Sequence, residues 1–288
     1  MQVFFQTLVG GIGFGAIYAL VGMGFTIVYR TMGLVNFAHG QIAMIGAFVG
    51  VTFFLNSRLP FAVAVILSMT VTAAVGLVIE GVLRPLEAKD FDLMLIGTIG
   101  FGIVLEALAS KIWGATGRAV PAPMDRPLHI FGIIVRTYDL VIIAVAAAAT
   151  GLVWALLNRT KAGAAMQAVA MDREASTAVG IRVGRSNAMA FALGSGLAAL
   201  AGTLAGPLLY VSPSLGSSLG IKGFCAAILG GFGNINGAII GGLGFGILDG
   251  FAAGHFQQYS DLVTFLVFAV AIMIRPTGIL GEQTVSRA

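Results

Sequence analysis

Long apolar runs recur along this chain, and each is about as long as a bilayer is thick. About 20 helical residues cross a hydrocarbon core. Such runs cover Val3–Tyr29, Leu34–Leu55, the residues from Pro60 to Leu83, Leu93–Trp113, Tyr138–Leu157 and Ala188–Leu204. Pro60 is well placed to open its helix. The region that follows is less regular. An apolar stretch, Gly220–Phe232, is too short to span comfortably, and Gly233-Asn234-Ile235-Asn236-Gly237 separates it from a second, Ala238–Ala253. A last run, Leu262–Ile274, is closed by Arg275-Pro276. The expected fold is an all-α integral membrane protein. It is a polytopic helical bundle of about eight to nine spans with discontinuous helices, forming one domain over residues 1–288.

Composition excludes the soluble alternatives. Hydrophobic residues make up 58% of the chain and charged residues 10%, against about 25% charged in soluble domains. A water-soluble fold of this size has no place for so much apolar surface, whereas lipid accepts it. The net charge of +4 would suggest nucleic acid on a soluble protein. Here the basic residues sit in loops beside apolar runs, so they report orientation in the membrane; lipid is the expected surrounding and nucleic acid is not a partner. The segment 158–187 carries Arg159, Lys161, Arg173, Arg182 and Arg185 and is placed inside, with Arg30, Arg84, Lys89 and the Arg275 tail. The loop 114–137 has three arginines, three prolines and no strong period, and is placed outside as an extramembrane loop. Nine crossings put the N-terminus outside and the C-terminus inside. Trp113, Tyr138 and Trp154 fall near span ends, as an interfacial aromatic belt requires. The first apolar run lacks a preceding basic segment and a cleavage site, and reads as a retained helix. The lone cysteine, Cys225, excludes an intrachain disulfide and multi-cysteine zinc sites.

Several chemistries are missing. None of the four lysines, Lys89, Lys111, Lys161 and Lys222, follows a glycine, so there is no phosphate loop of the Gly-Lys type. Gly11, Gly13 and Ala16 mimic a dinucleotide fingerprint, but they lie inside an apolar run without a preceding strand and read as helix-crossing residues. The small-residue spacings Gly46/Gly50, Gly237/Gly241 and Gly242/Gly246 read the same way. No catalytic triad, His-Glu-x-x-His pair, carboxylate dyad or metal-ligand cluster stands out, so no catalytic or metal site and no cofactor is expected.

Two features could carry transport. Gly33-Leu34-Val35-Asn36-Phe37-Ala38-His39-Gly40-Gln41 opens one apolar run and the Gly231–Gly237 stretch opens another, each with Gly three residues before Asn. Broken helices at corresponding places in two halves point to a transport pathway; the alternative is a pair of interfacial loops in which Asn caps a helix. Asn36, His39, Gln41, Asn234 and Asn236 are the candidate pathway residues, with His39 expected to form a simple hydrogen bond. The second feature is the Ala-rich stretch Gly163–Ala175, which should be one helix running toward a stop at Gly180. Such a helix either docks on a soluble partner or lies on the membrane surface. Among ionisable residues in spans, Glu106 has Lys111 as a possible ion-pair partner, and Glu80 and Asp249 are near enough to span ends to reach water.

Four segments, in order, resemble the branched-chain amino acid permeases of ATP-binding-cassette importers: Gly33–Gly40; Gly163–Ile181 with the following Ala198–Gly202 run; Gly230–Ala238; and Arg275-Pro276-Thr277-Gly278-Ile279-Leu280-Gly281. The resemblance covers nearly the whole chain, and the compact length is similar to the shorter of the two paired permease subunits. It implies a type II importer fold in a bacterial inner membrane, and a permease without its own ATPase site. The implied partners are two cytoplasmic ATP-binding subunits, a second permease, homologous or identical, and a periplasmic solute-binding protein. The implied cargo is a hydrophobic amino acid, with urea, short amides or sugars carried by relatives. It also implies ATPase coupling through Asp172, Arg173, Glu174, Ala175 and Gly180. An ion-coupled secondary transporter using Glu106 and a passive channel constricted by the asparagine segments are the rival classes.

Overall fold

The computed structural model describes residues 2–87, 91–124, 126–130 and 133–281; Lys89, placed inside by charge, lies outside the described residues. The helices run in the order α1 (Gln2–Met32), α2 (His39–Val51), α3 (Phe61–Glu87), α4 (Phe91–Trp113), α5 (Thr137–Arg159), α6 (Lys161–Met171), α7 (Arg173–Ala178), α8 (Val183–Ala205), α9 (Leu215–Gly230), α10 (Ile235–Phe256) and α11 (Ser260–Ile274). A two-stranded antiparallel hairpin, β1 (Pro127–Ile130) and β2 (Ile133–Arg136), precedes α5. Among the described residues seven helical stretches are long and apolar enough to cross a membrane. The chain is a multi-pass membrane protein. The apolar stretch Ile235–Ile274 contains two of the helices, because Gln257–Tyr259 forms a tight 3-10 turn with Gln257 at φ +36°. Beyond that turn α11 folds back along α10, bringing Phe265 and Phe268 to Phe245 at ring distances of 6.2 and 6.0 Å.

The core is centred on α1, which packs against α10, α8, α9 and α5. Lipid supplies no hydrophobic drive between helices, so close packing and interhelical hydrogen bonds hold the bundle. The pseudo-fingerprint glycines do this work. A Cβ on Gly15 would lie 2.8 Å from the Leu243 Cα, and a Cβ on Gly246 would overlap the Gly15 backbone. Where α2, α3 and α8 meet, the Ser68 hydroxyl donates 2.6 Å to the Gly46 carbonyl, and the Thr203 hydroxyl lies 3.1 Å from the same oxygen. Each such bond adds about 0.6–2 kcal/mol in a membrane.

Several expectations change on this frame. The loop 114–137 is not structureless: it holds the β hairpin, and Arg118 pairs backbone to backbone with Val211. The Ala-rich helix is split, because Asp172 adopts an extended conformation and its carboxylate accepts 2.9 Å from the Ala175 amide, ending α6 and capping α7. Two of the three belt aromatics turn inward. Tyr138 is fully buried and donates 2.8 Å to the Leu204 carbonyl, and Trp113 donates 2.8 Å to Thr52 while stacking on Phe48. Trp154 remains outward, under the Arg159 guanidinium. Glu80 does not reach water. It is 1% exposed and forms a two-bond pair with Arg84, at 3.0 and 2.8 Å, while Arg84 also donates to the Gly184 carbonyl and so ties α3 to α8. Glu106 forms no ion pair with Lys111 among the described residues.

Candidate functional site

Two helices begin inside the bundle. Gly33, at φ +75°, ends α1 by returning its amide to the Tyr29 carbonyl at 2.7 Å. The chain then turns through Asn36, whose side-chain oxygen accepts 3.1 Å from the Ala38 amide. Helix α2 starts at His39, which lies against Gly24, in the last third of α1, and Gly194, at the middle of α8. Helix α9 starts at Leu215, after Pro213, and its first turn also lies deep. A Cβ on Gly220 would sit 2.9 Å from the Gly40 Cα, and one on Gly216 3.0 Å from the Gln41 Cα. The first turns of α2 and α9 therefore touch backbone to backbone, and only glycines allow that approach. Backbone that is not helical at this depth is tolerated because protein surrounds it.

Beside this junction lies a cavity of about 200 Å³, lined by Phe25, Phe37, Gln41, Ser217, Ile221 and Phe224 together with the junction glycines. Gln41 donates 3.2 Å to the Ser217 hydroxyl, giving a single polar edge. The rest is apolar: Phe25 and Phe37 stand 5.5 and 6.3 Å from Phe224, ring to ring. An apolar pocket with a few convergent polar groups is the usual form of a small-molecule site, and this one suits a compact solute with an apolar side chain.

The candidate pathway residues fall in three places. Gln41 lines the cavity. Asn36 and His39 are buried behind it, 1% and 0% exposed. His39 packs on the Phe25 ring at 4.5 Å, and the expected hydrogen bond does not form: among the described residues neither ring nitrogen has a partner of normal geometry, although the Val21 backbone lies near. The Asn36 side-chain amide nitrogen is likewise without a partner. Asn234 and Asn236 are elsewhere. Asn234 caps α10 through the Gly237 amide at 3.1 Å and donates 3.1 Å to the Leu280 carbonyl. The Ile279 and Leu280 amides in turn bond the last carbonyls of α9 at 2.8 Å, so the C-terminal segment fastens the α9–α10 turn. Asn236 is exposed. Only the second segment caps its helix through Asn; Asn36 closes a turn ahead of α2, whose N-cap position is Ala38, and only this first segment abuts the cavity.

The connection between α5 and α8 forms a compact two-helix unit. Thr160 caps α6 by accepting 3.0 Å from the Gly163 amide, and Gly180 at φ +86° ends α7, with the Ile181 amide returning to Ser176 at 2.9 Å. Met171 and Val179 are 87% and 76% exposed, and Glu174 and Ala175 are exposed between them. The sequence reading missed the cavity's aromatic wall, Ser217 and Lys222. Lys222 carried a signal, as a lone charge within an apolar run; the phenylalanines carried none, because they match any membrane-facing side chain.

Comparison with known proteins now bears on this geometry. The family model described as branched-chain amino acid transport system / permease component matches residues 7–273. The chain belongs to that family. Across 99% of its length the permease-family chain is 34% identical to the high-affinity branched-chain amino acid transport system permease protein BraD of Pseudomonas aeruginosa, covering 98% of it. It is 32% identical to the corresponding LivH of Escherichia coli, over 99% of this chain and 97% of the relative. A more distant relative, the fructose import permease protein FrcC of Rhizobium meliloti, is 28% identical over 90% of this chain and 74% of its own. Among solved structures, PsaBC from Streptococcus pneumoniae in complex with Fab aligns with a TM-score of 0.51 at 16% identity, over 96% of this chain and 93% of that one. That similarity is one of fold.

Proposed function

We propose that this chain is the membrane-spanning permease of an ATP-binding-cassette importer of the type II architecture, carrying branched-chain amino acids across a bacterial inner membrane. The observation that carries the reading is the family match over residues 7–273, joined to a cavity whose lining is aromatic and aliphatic except at Gln41 and Ser217. The proposed partners are two cytoplasmic ATP-binding subunits, a second permease, and a periplasmic binding protein that delivers the solute. The chain is proposed to cross nine times, N-terminus outside and C-terminus inside, with α9 and its lead-in counted as one crossing and α10 and α11 as two.

In this mechanism ATP binding draws the ATPases together and moves the α6–α7 unit, with Asp172, Arg173, Glu174, Ala175 and Gly180 at the contact. Arg84 bonded to Gly184 gives that motion a route into α3 and α8. The motion switches access to the cavity by stabilising inward and outward states differently. The solute's apolar side chain passes along Phe25, Phe37, Ile221 and Phe224, with Gln41 meeting its polar end. Asn36 and His39 hold the start of α2, and Asn234 and Asn236 belong to the inner end of the route. The test is leucine uptake by proteoliposomes holding the permease pair and ATPases, with binding protein added outside. Uptake that needs both ATP and binding protein is expected. Uptake that survives ATP depletion and collapses with a protonophore overturns the reading.

A further inference from the structure

Behind the cavity lies a polar cluster that the transport route does not use. Asp249, on α10, accepts 2.7 Å from the Tyr18 hydroxyl on α1, 3.0 Å at each oxygen from Lys222 on α9, and 3.3 Å from the Thr264 hydroxyl on α11. The Lys222 ammonium lies a further 3.0 Å from Asp261, at the start of α11. The Lys222 and Asp249 side chains are 14% and 11% exposed, whereas that of Asp261 is 69% exposed. Asp249 had been expected to reach water at a span end; instead four helices converge on its carboxylate. Ionisable groups at such depth are expensive and are retained for a task.

The position of Lys222 on α9 indicates that task. It is the only charged residue in Leu215–Gly230. At 3.6 residues per turn, Ser217, Gly220, Ile221 and Phe224 form one stripe of α9, and these residues line the cavity. Lys222 stands about half a turn round from the middle of that stripe. On its other sides α9 meets neighbours through glycines, Gly216 and Gly220 on Gly40 and Gln41 and Gly223 on Val21, through the neutral Gln41–Ser217 bond, and through the Phe224 ring. The glycine contacts fix which face of α9 meets α1 and α2 by exclusion, and the first turn of α9 has no side-chain cap. The ion pair is directional, and it acts on the face opposite the cavity.

We propose that the Lys222–Asp249 pair sets the rotation of α9 and thereby holds Ile221 and Phe224 at the cavity wall, making both charged residues positioning residues for solute selection. The selection part rests on the reading of the cavity as the solute's route. Cys225, the chain's single cysteine and 7% exposed, supplies a probe in the same helix. The full complex is compared as wild type, Lys222→Arg and the double variant Lys222→Met/Asp249→Asn, which neutralises the buried pair together and leaves only the exposed Asp261 without its partner. Maleimide modification of Cys225 is followed by peptide mass spectrometry, and uptake of leucine against alanine is measured per assembled complex. In the double variant Cys225 is expected to react about tenfold faster and the leucine-to-alanine ratio to fall at least about threefold, while Lys222→Arg keeps wild-type values, in line with the sensitivity of sites to their supporting shell. Unchanged labelling and ratio in the assembled double variant overturn the proposal. Should that variant fail to accumulate, the swapped pair Lys222→Asp/Asp249→Lys is read in an Asp261→Asn background, so that two carboxylates do not face each other: wild-type labelling supports the proposal, and accelerated labelling overturns it. Labelling needs no transport, so a wild-type complex that takes up no amino acid would sink the importer reading and leave the placement of α9 to be decided by Cys225 alone.

Discussion

Gly15 and Gly246 illustrate what a single residue decides in this bundle. Each lies where a neighbouring backbone occupies the space of a side chain. Gly246→Leu is therefore expected to lower the amount of folded permease in the membrane severely, because overpacking a well-packed site costs about 1–3 kcal/mol and here the obstacle is backbone; quantifying the protein in isolated membranes checks this. Phe224 works differently, since it faces a cavity. Phe224→Ala should raise the leucine concentration giving half-maximal uptake about tenfold or more, and that for alanine less, as one to two lost methylene-scale contacts in a hydrophobic pocket are worth about 1–3 kcal/mol. Equal effects on both solutes would remove Phe224 from the side-chain wall. His39 shows the limit of residue-by-residue reading. Its position at a broken helix was visible in the sequence, but its burial on Phe25 and the missing hydrogen bond come from the distant residues Gly24 and Gly194.

Among the elements, the α6–α7 unit was legible as a helical stretch and not as two helices. The break depends on Asp172 leaving the helix to cap the next one, a choice between two local hydrogen-bonding arrangements that Asp makes readily. Asp172→Ala should cost about 1 kcal/mol at that cap and lower uptake more than basal ATPase activity, measured side by side in proteoliposomes. The Arg173→Ala/Glu174→Ala double variant should retain ATPase activity while losing most uptake; undiminished uptake would move the coupling contact elsewhere. The paired Gly-x-x-Asn segments were visible as a repeat. Their different roles, one beside the cavity and one at the C-terminal clamp, follow from contacts with α9 and with Leu280 that lie far along the chain.

Across the whole molecule, the proposed nine-crossing arrangement predicts which surfaces water-soluble reagents reach. In a Cys225→Ser background, Met124→Cys, 57% exposed beside the hairpin, should react with an impermeant maleimide on intact cells. Thr160→Cys, at the start of the α6–α7 unit, should react only after the membrane is opened. Reversed labelling would invert the topology.

The sequence by itself determined the solvent of this protein, the approximate ends of most of its long apolar helices and its family. Those properties follow from local composition: apolar length must match bilayer thickness, charges must stay in water, and glycines mark close crossings. Only the tertiary structure decided that α2 and α9 begin beside each other, that Phe25, Phe37, Ile221 and Phe224 share a cavity, and that Asp249 gathers Tyr18, Lys222 and Thr264. The reason is physical. In lipid an apolar side chain is equally at home facing a hydrocarbon tail, a neighbouring helix or a cavity, so composition cannot assign its direction; the packing of helices distant in sequence does.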